Sequence, residues 1–223
     1  MDINHATLDS KHALEEVLNK KVKPLIKEAT SRFLGVNIDK LNEDIGSLLH
    51  KPTLLGIKID TCLSFKDAKK KFKQEYLEKL LKLNLGNITE VARLTKTDRR
   101  SIHRLINELE IEVKKIKKEL VKPYDIKLSS LNIEIEHVLD KYKQVLHPDK
   151  LKSIYRNVDQ ISEEILKELP EQPLTLQEAV EEFEKKYLKT VLKNNNDNIS
   201  RTARAIGLRY ETLHRKCRKL EII

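Results

Sequence analysis

An all-α, internally duplicated protein is the fold class this sequence predicts. Three observations carry that expectation: few aromatics and glycines, apolar residues spaced by three and four, and a stretch that recurs once along the chain. Charged residues make up 35% of the 223 positions and aromatics 4%, with 5 Gly, 6 Pro and no Trp. Such a mix suits solvated helices better than sandwiches or barrels. The length allows one good-sized core or two small ones. Net charge is +9, from 44 Lys and Arg against 35 Asp and Glu. That excess suits a polyanion such as nucleic acid, provided the charge is concentrated rather than spread over a merely soluble surface.

In chain order, residues 1–62 read as an N-terminal helical region that names no ligand. Within it, Asn37-Ile-Asp-Lys-Leu-Asn-Glu-Asp-Ile45 is echoed by Asn157-Val-Asp-Gln-Ile-Ser-Glu-Glu-Ile165. Either a duplicated segment or two similar acidic helices would explain the echo. Residues 63–120 form a first module, 121–173 a helical connector ending in a linker at Pro170-Glu-Gln-Pro173, and 174–223 a second module. Leu63 to Ile111 align without a gap to Leu174 to Ile222, and 17 positions are identical. The matches include Phe72 with Phe183, Tyr76 with Tyr187, Asn87 with Asn198, His103 with His214 and Arg104 with Arg215. They fall on core-type and surface-type positions alike, which helical periodicity alone does not arrange, so the alignment is read as a duplication.

In the second module, Leu176, Ala179, Val180, Phe183, Leu188, Val191 and Leu192 form the stripe of one amphipathic helix over about residues 175–194. The run Asn194 to Asn198 breaks it, because these short polar side chains compete for backbone hydrogen bonds. Asn198 then caps a short helix, Ile199 to Ile206, which Gly207 stops. A last helix is expected from about Tyr210 to Leu220. Two short helices joined by a glycine turn can lay the second into a major groove. Ala203, Ile206, Leu208, Leu213, Cys217 and Leu220 would clamp the pair. Arg201, Arg204, Arg209, Arg215, Lys216, Arg218 and Lys219 fall outside that core set, and residues 198–223 carry seven basic against two acidic side chains.

The stretch from Glu178 to Leu188, followed by Asn198-Ile-Ser-Arg-Thr-Ala-Arg-Ala-Ile-Gly-Leu-Arg-Tyr-Glu-Thr-Leu-His-Arg-Lys216, closely resembles the Fis family of helix-turn-helix domains. That family comprises the nucleoid protein Fis and the C-terminal DNA-binding domains of bacterial enhancer-binding activators. The resemblance covers about 50 residues here and, more loosely, about 50 in the first module. It implies that Arg209, Tyr210, Thr212 and Arg215 face the groove, that Asn198 and Ser200 reach flanking phosphates, and that Arg201, Lys216 and Lys219 add positive charge. Arg grips guanine edges or phosphates bidentately, and helix N-termini favour phosphate. Tyr210 departs from the basic residue often found at its position.

In the first module, Arg99, Arg100, Ser101 and Arg104 match the groove-facing positions. Lys96 stands where the second module has Gly207, and residues 87–112 carry five basic and five acidic side chains. That balance leaves open whether this module touches DNA or is structural. Family members dimerise through the helix preceding the reading module. Here both such helices lie in one chain, so an intramolecular pseudo-dimer is one expectation. A homodimer through residues 175–194, pairing Tyr187, Leu188 and Val191 between chains, is the other.

No GxxxxGK[ST] loop, GxSxG elbow, HExxH helix or GxGxxG turn occurs, so neither an ATPase nor another enzyme is expected. Cys62 and Cys217 stand alone, and no cofactor, structural zinc or disulfide framework is indicated. With no signal-type or membrane-spanning apolar run, a cytoplasmic, nucleoid-associated protein without a membrane partner is expected. His147-Pro-Asp-Lys150 resembles the loop of J-domain co-chaperones, but the aromatic-Leu-Gly opening of that family is missing, and a helix cap is the simpler reading. Phe72, Phe183, Tyr76 and Tyr187 read as core rather than as stacking platforms for single strands. The sequence therefore predicts a double-stranded DNA-binding regulator or architectural factor. A non-catalytic scaffold with repurposed helix-turn-helix modules is the rival.

Overall fold

The computed structural model describes residues 14–50, 54, 56–57, 59–119, 121–169 and 174–223. The linker expected at Pro170 to Pro173 lies outside them. Among the described residues every regular element is helical: a π-helical turn Leu18–Val22, then α1 (Lys23–Leu34), α2 (Asp39–Leu48), α3 (Phe65–Leu83), α4 (Ile88–Leu94), α5 (Arg99–Glu108), α6 (Val113–Lys118), α7 (Pro123–Asp140), α8 (Pro148–Arg156), α9 (Val158–Glu168), α10 (Leu176–Asn194), α11 (Ile199–Ala205) and α12 (Tyr210–Lys219). Two compact units result, each built from two separate stretches of chain. Unit 1 draws on residues 1–56 and 122–173, and unit 2 on residues 57–121 and 174–223.

Unit 1 is a helical cluster around Val22, Ile26, Leu41, Ile45, Leu131, Ile135, Leu139, Ile154, Ile161 and Ile165, all buried. Helix α9 packs on α7, while α1 packs on α2 and α8. Leu41 and Ile45 of the first acidic segment, and Ile161 and Ile165 of its echo, all point into this core. Charged neighbours on each helix stay outside, as amphipathic spacing requires. His147 caps α8 and Pro148 opens it, so the His-Pro-Asp segment acts as a helix start.

Unit 2 is organised by α3 and α10, both 19 residues long, which pack on each other. Their start signals are alike: the Ser64 hydroxyl accepts from the Asp67 amide, and Thr175 with Glu178 forms a full capping box. Down the centre, Phe72 stacks on Phe183 with ring centroids 4.6 Å apart. Tyr76 and Tyr187 flank that pair and are fully buried. Their hydroxyls cross between the modules, Tyr76 donating to the Leu174 carbonyl at 2.6 Å and Tyr187 to the Leu63 carbonyl at 2.7 Å. Two backbone bonds cross in the same manner, from the Phe65 amide to Ile206 and from the Leu176 amide to Thr95. Each contact returns when both partners are exchanged for their aligned counterparts, which is the signature of a two-fold-like, isologous interface.

Backbone geometry follows the same correspondence. Left-handed φ occurs at Leu85, Gly86, Lys96 and Glu110, and again at their aligned partners Asn196, Asp197, Gly207 and Glu221. The turn keeps its shape although Lys96 stands in place of a glycine, with φ of 50° at Lys96 and 71° at Gly207. Helix α6 covers the far side of α3, with Lys117 lying against Gly86 and Lys82 paired to Glu119 at 3.3 Å.

Candidate nucleic-acid interface

Helices α11 and α12 form the second helix-turn-helix, and α4 and α5 the first. Asn198 starts α11 by accepting from the Arg201 amide at 2.9 Å, so its side-chain oxygen is committed to the cap. Leu213 and Cys217 bury one face of α12 against Ala203 and Ile206, all at 3% exposure or less. Burial pushes the Cys217 thiol up, which keeps it protonated and inert. The hydroxyl of buried Thr202 has no hydrogen-bond partner among the described residues.

The remaining faces carry the predicted contacts. Ser200, Arg201, Arg209 and Arg215 are exposed, Thr212 is half-buried, and Tyr210 is 47% exposed with its ring stacked 6.0 Å from His214. No carboxylate among the described residues lies within ion-pair distance of Arg201, Arg209 or Arg215. Lys219 is exposed and reaches Glu181 at 3.4 Å.

Lys216 departs from the expected role. It turns back toward α10, donating to Glu184 at 2.7 Å, with its ammonium 5.0 Å from the Phe65 ring centre. Glu184 also receives Lys69 at 2.6 Å. Burial alone would raise this carboxyl, but the hydrogen bonds from Lys216 and Lys69 outweigh it and hold the group below the ordinary glutamate value. These residues edge a cleft of about 650 Å³ that also takes in Lys73, Lys96 and the N-terminus of α10. A charge at position 184, one residue beyond Phe183 on the core stripe, was the sequence signal for this clamp.

On the first module, Asp98 caps α5 by accepting from the Ser101 amide at 2.9 Å, and hydrogen bonds from the Ser101 hydroxyl and then its amide hold the carboxyl below its ordinary value. Arg99, Arg100 and Arg104 are exposed, and Ser101 is half-buried by the cap. The predicted groove residues of each module therefore gather on one helix, at its first turns. His103 is exposed and His214 half-buried.

Tyr187, Leu188 and Val191, the stripe that could have joined two chains, are at most 3% exposed within one chain. No helix among the described residues is long and apolar enough to cross a membrane, and no cluster of His, Cys, Asp or Glu there is suited to hold a metal. No curated protein and no solved structure matches the chain. The segment spanning α10 to α12, residues 179–220, matches the family model described as "Bacterial regulatory protein, Fis family".

Proposed function

We propose that unit 2 binds double-stranded DNA as an intramolecular pseudo-dimer, with α12 and α5 as its two reading helices, and that the chain acts as a transcriptional regulator or nucleoid-associated factor. The observation that carries this reading is a pair of exposed arginines without an ion-pair partner among the described residues, Arg209 at the start of α12 and Arg215 within it, on a module that matches the Fis family. Arg209, Tyr210, Thr212 and Arg215 enter the groove, and Asn198, Ser200, Arg201 and Lys219 approach the phosphates. Lys216 serves the clamp instead. Support for two heads comes from the reciprocal hydrogen bonds of Tyr76 and Tyr187, which give the modules related settings. Arg99, Arg100, Ser101 and Arg104 then meet a second half-site about one helical turn, roughly 34 Å, away. No catalytic step belongs to this reading.

Fluorescence anisotropy of a labelled duplex across a salt series tests it. Wild-type binding should weaken steeply with salt, as release of phosphate counterions requires. Arg215→Ala should cost about 10- to 100-fold in affinity, and Arg104→Ala a comparable further factor if both heads engage. Loss confined to Arg215→Ala would make the first module structural. Absence of salt-sensitive binding to any duplex would overturn the reading in favour of a protein scaffold.

A further inference from the structure

We infer that the DNA site of unit 2 is not a palindrome: it joins two unlike half-sites, one presenting guanine to Arg100 and the other cytosine to Glu211. The inference rests on the two-headed DNA reading above. A homodimer reads a palindrome because its two heads are identical by construction. Unit 2 holds its modules in the same reciprocal manner, yet the two reading helices are free to differ.

They differ in sign where it matters most. Arg100 and Glu211 occupy the same register, two residues after the N-caps Asp98 and Arg209. Both side chains are exposed, and neither has an ion-pair partner among the described residues. A guanidinium offers only donors and suits the O6 and N7 acceptors of guanine, whereas a carboxylate offers only acceptors and suits the N4 amine of cytosine. Over guanine, Glu211 would face the O6 and N7 acceptors with no donor of its own, so the wrong base is rejected as well as the right one gripped.

The N-cap position is inverted too. Asp98 is occupied by its cap bond, while Arg209 makes none and is free to enter the groove. Arg99 faces Tyr210 across the alignment, while Arg104 with Arg215 gives both heads a guanidinium and Ser101 with Thr212 gives both a hydroxyl. One shared guanine contact per half-site with divergent flanks follows, and the protein then sits on its site in a single orientation.

Selection of the full chain on a duplex pool with a randomised core tests this. The expected consensus is bipartite and non-palindromic. Duplexes built from its half-sites as A–B, A–A and B–B should then bind in favour of A–B by about tenfold or more. Exchanging the charges, Arg100→Glu with Glu211→Arg, should swap the guanine and cytosine preference between the half-sites. Both residues are exposed, so an unchanged thermal melt is expected to accompany that swap. A palindromic consensus or equal affinity for the three duplexes would overturn the inference alone, whereas a single half-site would overturn the two-headed reading with it. Failure to enrich any duplex would overturn the DNA reading itself and this inference with it.

Discussion

The two helix-turn-helix modules of unit 2 share a backbone and a buried stripe but differ over much of their exposed surface. Arg93 and Arg204 are aligned and identical, yet Arg93 is paired with Glu90 through its Nε at 3.0 Å, whereas the aligned neighbour of Arg204 is Arg201, not a carboxylate. Asp98 caps its helix; Arg209, in the same place, does not. At these two positions the first module uses Glu90 and Asp98 for local stabilisation, where the second carries Arg201 and Arg209 without an ion-pair partner among the described residues. A helix-turn-helix is thus fixed by a few buried positions and by its left-handed turns, while the exposed register is free to take up or give up ligands.

The largest test of that equivalence is at the centre. Phe72→Ala and Phe183→Ala should each lower unfolding stability by about 3–5 kcal/mol, and by similar amounts, because the two rings occupy matching sites in one stack. Denaturant unfolding of each variant measures it; markedly unequal losses would break the comparison.

A smaller effect should expose where the correspondence fails. Glu184 is aligned with Lys73, and Lys216 with Leu105, so the clamp has no counterpart on the other side. Glu184→Gln should cost about 1–2 kcal/mol, discounted because Lys69 and Lys216 remain 31% and 28% exposed. Lys73→Gln should stay within about 0.5 kcal/mol. Since the folded-state carboxyl lies below its ordinary value, the clamp's contribution is full above the unfolded glutamate pKa of about 4.3 and is lost as pH falls through the folded one. The difference between wild type and Glu184→Gln should therefore shrink in acid, as thermal melts across a pH series would show.

The smallest effects concern the paired turns. Gly207→Ala should destabilise by about 1 kcal/mol, because an added Cβ must adopt the left-handed conformation, although nothing closer than 3.9 Å obstructs it. Lys96→Gly should stabilise slightly, by about 0.5 kcal/mol, relief of the same conformation being partly offset by a more flexible unfolded chain. Matching signs at the two sites would contradict the conformational account.

Much of unit 2 was legible in the sequence. Asn198 and Gly207 mark the ends of the short helix, and the helix expected over about 175–194 is observed at Leu176–Asn194, because caps and apolar spacing are local signals. Helix α6 was not foreseen: Val113–Lys118 has four lysines, no buried residue and a single turn or so of length. Nor could periodicity show that the segment containing α7 to α9 closes over α1 and α2 in one core, since spacing reveals which face of a helix is apolar but not which stretch of chain will cover it. At the site, position along α12 predicted that Arg215 points outward, as it does, while Lys216 was classed as an outward cation because its partner Glu184 lies 32 residues away.

The interleaving of the two units shapes how the chain must be made. Phe72 leaves the ribosome 111 residues before Phe183, with the second half of unit 1 emerging in between. At about 5–20 residues per second that gap lasts on the order of ten seconds. During that interval the aromatic face of α3 is complete but has nothing to close on, which leaves an apolar stripe open to association with other chains.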